Sequence, residues 1–143
     1  MTDVAEVKDE VKKDEAAPEP SAQIAGALSV FPGSPSKDQI EQWKGKFGEV
    51  FCSGFSETEL FIFHPVGRQE FVSMQLEAGA SQVPLNPFDM EEKLVRSCLL
   101  WASALGEKAL VNKGGSMATL HEQIMANSNF IAPQLAQQLV IRL

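Results

Sequence analysis

Ile40, Trp43 and Phe47 recur at three- and four-residue steps among polar neighbours, the spacing that lines up side chains on one face of an α-helix. Ser36 and Gln39 fit the S-x-x-E/Q capping box just before this stripe, and Gly48 suits its C-terminal end. The rhythm then changes. Residues 50–55 and 60–64 are short runs rich in aromatic and β-branched side chains, separated by the turn-compatible Ser56-Glu57-Thr58-Glu59. That pattern predicts a β-hairpin. In the second run Leu60, Ile62 and His64 share one face and Phe61 and Phe63 the other. Both faces are largely apolar, so the ribbon needs helix cover or a third strand. Pro65 ends it.

Helical spacing resumes over residues 66–76, with Phe71, Val72, Gln75 and Leu76 on one side. Gly79 and residues 83–87 read as a loop. Asp89 opens the strongest stripe in the chain, Met90, Leu94, Val95, Cys98, Leu99, Trp101 and Ala102, which predicts one long, deeply buried helix. Lys113-Gly114-Gly115 reads as a hinge and Ser116 as the cap of a helix carrying Met117, Leu120, Ile124 and Met125. Asn127-Ser128-Asn129 breaks that helix. Pro133 stands near the start of a last one, whose apolar residues are Leu135, Leu139, Val140 and Leu143. The predicted fold class is α+β: a mainly helical small domain with one β-hairpin among about five helices.

Composition alters the picture mainly at the N-terminus. Residues 1–22 hold seven acids against three lysines and have no aromatic residue and no leucine. Such a stretch buries too little apolar surface to offset its ordering entropy. It is read as a disordered acidic arm, with residues 2–14 able to form a transient helix. Residues 23–35 form a linker or docking peptide. Their apolar part, with Ile24, Leu28 and Phe31, either docks on the domain or is offered to a partner as a linear peptide. Residues 36–143 form a single α+β domain.

The 143 residues carry a net charge of −7 without a basic stripe, which argues against nucleic acid as a partner. No apolar run is long enough to span a bilayer, and the charged N-terminus lacks the apolar core of a signal peptide. The expected location is cytoplasmic. The two cysteines, Cys52 and Cys98, are expected as free thiols.

Candidate chemistry is sparse. Cys52, His64, Cys98 and His121 are singletons more than ten residues apart, whereas structural zinc sites draw on ligand pairs a few residues apart. No metal site and no cofactor are expected. Cys52 and His64 stand on facing strands of the predicted hairpin, a nucleophile-and-base arrangement in outline. The neighbouring Glu49, Glu57 and Glu59 oppose thiolate formation, so no catalytic residue is assigned. Residues 45–48 and 113–116 resemble phosphate loops only superficially, since neither contains G-x-x-x-x-G-K-[ST].

Four segments, "IEQWKGKFGEVF", "ELFIFHPVGRQEF", "EEKLVRSCLLWAS" and "GGSMATLHEQIMANSNF", follow an order similar to that of small proteins from the tail-gene clusters of contractile-tailed bacteriophages. These are tail assembly chaperones or minor virion and baseplate components. Glu92 to Trp101 resembles the family's E-x-x-C-x-L-C-V-L-x-P run, with Ala102 where proline is usual. Gly114 to Phe130 resembles its T-L-x-E-x-I-x-x-x-S-G-F run, with Asn129 where glycine is more common. The resemblance spans about residues 37–131. It implies tail or baseplate morphogenesis by protein–protein binding, as a virion component or an assembly chaperone, and no enzymatic residue. The implied partners are other tail proteins (tape measure, hub or baseplate subunits), with self-association compatible with assembly. The implied location is the host cytoplasm during assembly or the virion tail. Residues assigned to partner binding are Ile24, Leu28, Phe31, Phe61, Phe63, Leu135, Leu139 and Leu143. The alternative is a non-virion cytosolic adaptor that binds a host protein.

Overall fold

A computed structural model describes residues 20–80 and 86–143. The acidic stretch over residues 1–19, the transient helix read over 2–14 and most of the loop before Pro87 lie outside the described residues. The fold is mixed α+β. Among the described residues, helices α1 (Pro20–Val30) and α2 (Lys37–Phe47) precede strands β1 (Phe51–Gly54) and β2 (Leu60–Phe63). Helices α3 (Arg68–Ala80) and α4 (Pro87–Cys98), strand β3 (Leu99–Ala102) and helices α5 (Ala104–Asn112), α6 (Ser116–Asn127) and α7 (Pro133–Gln138) follow.

The expected hairpin is present, with Cys52 opposite Ile62 and Ser53 opposite Phe61. Its missing cover includes a third strand that periodicity did not reveal. Residues 99–102, read as the end of a long helix, instead leave the helical path at Cys98 and pair antiparallel with β2, Ile62 opposite Trp101 and Phe61 opposite Ala102. The sheet order is β1-β2-β3. The physical reason is the free edge of β2. Its four residues are all buried, so unpaired backbone groups along that edge would cost more than the helical continuation of four residues returns. The register slips between Ile62 and Phe63, where Phe63 pairs with Leu99. Leu100 is the extra residue of this bulge.

Phe61 and Phe63 face the main core with Leu94, Val95, Leu120 and Ile124. The opposite sheet face is met by α1 and the turn after it. A Cβ on Gly54 would lie 3.2 Å from both Ile24 Cγ1 and Leu60 Cδ2, and Phe31 meets Trp101 edge-on at 6.1 Å. The apolar N-terminal segment is therefore a helix docked on its own sheet. It begins at Pro20, inside the stretch read as acidic arm.

Local signals account for several helix ends. Ser36 Oγ accepts the Gln39 N–H at 3.1 Å, and Gly48, at φ 84°, sends its N–H to the Lys44 carbonyl. This left-handed closure favours glycine. Asn86 rather than Asp89 opens α4, through Oδ1 and the Asp89 N–H at 2.9 Å. Ser116 is not a cap: it is the first residue of α6, buried, with Gly115 before it. Gly79 lies inside α3, which runs to Ala80. That helix turns Met74 inward while Val72 and Leu76 stay exposed, so its buried side differs from the expected one. Helix α5 was not foreseen as a separate element. Ser103 caps it and binds it to β2.

Candidate functional site

Helices α3, α4 and α6 do not close completely on one another. Between them runs a groove of ≈ 380 Å³ lined by Phe71, Met74, Met90, Leu94 and Met125, with Gln75, Pro87, Glu91 and His121 also bordering it. Three of the chain's five methionines line this one groove. Unbranched thioethers adapt to varied apolar partners, which makes such a surface suited to another helix rather than to one rigid small molecule. Lys93 pairs with Glu77 across α3 and α4; both are largely exposed, so the pair contributes little to stability.

Phe71 connects the groove to the C-terminal segment. Its ring lies 4.9 Å from that of Phe130, and both line a second hollow of ≈ 210 Å³ with Val66, Gly67, Arg68 and Ser128. Beyond Phe130 the apolar side chains turn to solvent: Ile131, Leu135, Leu139, Val140, Ile141 and Leu143 are all exposed. The last helix stops at Gln138 instead of continuing to the C-terminus. A helix of six residues has too few internal hydrogen bonds to be stable by itself.

Of the residues assigned to partner binding, Leu135, Leu139 and Leu143 lie on this surface. Phe61 and Phe63 do not: they are 0% and 2% exposed, and that assignment is corrected. The hairpin's second face looked free because its cover, α4 and α6, comes from far along the chain. Ile24, Leu28 and Phe31 are half-buried, with Ile24 and Phe31 turned to the chain's own sheet. The groove itself was missed. Its residues come from positions 71 to 125, and no local pattern joins them.

Cys52 and His64 are not brought together as a reactive pair. Cys52 is opposite Ile62. The His64 ring stacks on Phe47 at 3.9 Å and 1°, with Nδ1 2.7 Å from the Pro65 carbonyl and Nε2 3.2 Å from that of Ser97. Burial pushes the Cys52 thiol from an ordinary 9.0 up to about 11. Burial, and then the Glu70 carboxylate, push Cys98 up to about 12. At pH 8 Cys52 should therefore carry roughly one hundredth of the thiolate of an ordinary cysteine. Native protein should react with iodoacetamide at Cys52 far more slowly than urea-unfolded protein at that pH, with the rate climbing towards pH 11. Equal rates in the two states would contradict the burial argument.

His64, Glu70 and Cys98 do converge. Their nitrogen, carboxylate oxygen and sulfur atoms lie within 4.8 Å of one another. His64 follows β2, Glu70 sits in the first turn of α3, and Cys98 ends α4. The spacing rule that set the histidines and cysteines aside detects only ligands sharing a local motif. Here the end of a strand and two helices bring one candidate ligand each, and no local signal pointed to Glu70.

Compared with known proteins, the chain matches no family model, no curated protein and no solved structure.

Proposed function

We propose that this protein works by binding other proteins through the methionine-lined groove and the apolar C-terminal segment continuous with it, and that its partners are tail proteins of a contractile-tailed bacteriophage. The observation that carries the binding role is the run of exposed apolar side chains after Phe130, joined to the groove through Phe71. Contiguous apolar surface of this kind marks an interaction site. The occupant that suits the groove is an apolar-faced helix, such as one from an unassembled tape-measure protein. The tail assignment rests on the sequence resemblance over residues 37–131. The net charge of −7 is in keeping with a protein partner and not with nucleic acid.

The test is a Leu135→Asp/Leu139→Asp variant co-expressed with the tail proteins. Both leucines are exposed, at 55% and 69%, so circular dichroism and the urea midpoint should stay as in the wild type. Capture of the tail partner should fall by at least about tenfold, the scale of losing one or two apolar anchors. Undiminished capture would reject this surface. Recovery of a host protein with no tail protein would replace the reading with the cytosolic adaptor. Mass spectrometry of purified particles separates the two tail roles, because a virion component is retained and a chaperone is not.

A further inference from the structure

We propose that His64, Glu70 and Cys98 form a structural site for a zinc-class divalent ion, a role that goes beyond partner binding. The three ligand atoms already lie within 4.8 Å of one another. Zinc takes imidazole nitrogen, carboxylate oxygen and thiolate sulfur at about 2.0–2.3 Å, so ligand atoms of one tetrahedron stand roughly 3.5 Å apart. About 1 Å of contraction closes the set. Of the three, Glu70 has the most freedom to move, being only half-buried and carrying a flexible side chain. His64 and Cys98, 5% and 0% exposed, are held by the backbone: the His64 N–H donates to the Cys98 carbonyl at 3.0 Å.

The surroundings of the imidazole are the second observation. Both ring nitrogens face carbonyl oxygens, Pro65 at 2.7 Å and Ser97 at 3.2 Å. A neutral imidazole has one N–H, so one nitrogen directs its lone pair at an acceptor. The shorter contact places the N–H on Nδ1, donating to Pro65. This is the backbone hydrogen bond that commonly orients a metal-bound histidine, and it leaves the Nε2 lone pair for a cation. Ser97 O then stands at the spacing of a fourth ligand. Charge also balances, since one thiolate and one carboxylate offset the two positive charges of the ion. As the metal–sulfur bond forms, the Cys98 thiol releases its proton to solvent. The mixed nitrogen, sulfur and oxygen set favours zinc over magnesium or calcium, which take oxygen ligands. The ion would clip the start of α3 to the end of β2 at the point where α4 turns into β3.

The experiment uses the full chain, stripped with a chelator and titrated with Zn²⁺ or Co²⁺ alone. One equivalent of zinc should bind and raise the thermal midpoint. Cobalt should give a thiolate charge-transfer band in the near ultraviolet. Cys98→Ser should abolish that band, and Cys52→Ser should leave it intact. Glu70→Gln, at a half-exposed position, should weaken zinc binding by at least about tenfold while the chelated variant keeps the wild-type circular dichroism. That variant decides the matter should Cys98→Ser fail to fold. Absence of stoichiometric zinc would overturn the site. So would a cobalt band that survives Cys98→Ser or is lost with Cys52→Ser, or zinc affinity unchanged in Glu70→Gln.

Discussion

Replacing Phe61 with alanine should lower the unfolding free energy by about 3–5 kcal/mol, the range for deleting a buried aromatic ring. Phe61 is 0% exposed on the middle strand of the sheet. Its ring lies 4.8 Å from that of Phe55, and a Cβ placed on Gly106 would be 3.1 Å from its Cε1. The backbone of α5 thus passes close above it. Interiors packed this tightly relax only partly around a missing ring, so the cavity adds to the lost transfer free energy. With total stability commonly about 5–15 kcal/mol, much of the folded margin would go. Urea denaturation should show a lower midpoint at an unchanged slope. Leu139→Ala, at an exposed site, should change stability by less than about 0.5 kcal/mol. A loss under about 1 kcal/mol for Phe61→Ala would show that the ring is not a core residue.

Ser103→Ala should be nearly as damaging although it removes a single oxygen. Ser103 Oγ accepts the N–H of Leu60 at 3.0 Å and that of Gly106 at 3.1 Å, and donates to the Thr58 carbonyl at 2.6 Å. The Leu60 carbonyl in turn accepts the Ser103 N–H at 2.9 Å. One hydroxyl therefore caps α5 and fastens the start of β2 to it, in a position 1% exposed. Alanine would leave two buried donors without this partner, and the part-buried Thr58 carbonyl as well. At about 1–3 kcal/mol for each unsatisfied buried group, part of it recovered by relaxation, the expected loss is on the order of 3 kcal/mol. Ser103→Thr keeps the hydroxyl and should recover part of it. Stability in Ser103→Ala within about 0.5 kcal/mol of wild type would mean that water replaces the hydroxyl. Gly106 belongs to the same arrangement: its Cβ would stand 2.9 Å from Ser103 Oγ and 3.1 Å from the Leu60 carbonyl, so the first turn of α5 lies closer to β2 than any larger residue permits.

Several elements were legible because their causes are local. The stripe from Ile40 to Phe47, its serine cap and its glycine end lie within thirteen consecutive residues, and helix geometry follows from that window alone. The hairpin is equally local, two short β-forming runs around a turn. The inward face of α6, with Leu120 and Ile124 fully buried, follows the spacing of its apolar residues. A need for cover over at least one hairpin face was also deducible from composition, but not that both are covered, nor by what.

The residue pattern alone specified an α+β fold with a hairpin, most helix cores and an apolar C-terminal segment. Tertiary structure alone decided that residues 99–102 form a strand. Leu-Leu-Trp-Ala fits the helical stripe before it as well as it fits a sheet, and the choice fell to the unpaired edge of β2, more than thirty residues away. It alone decided that Phe61 and Phe63 lie inside, that three methionines share one groove, and that His64, Glu70 and Cys98 meet. The reason is the same in each case. Near neighbours along the chain set only a local backbone preference, whereas strand pairing, burial and side-chain convergence depend on hydrogen bonding and packing between segments whose separation no short window spans.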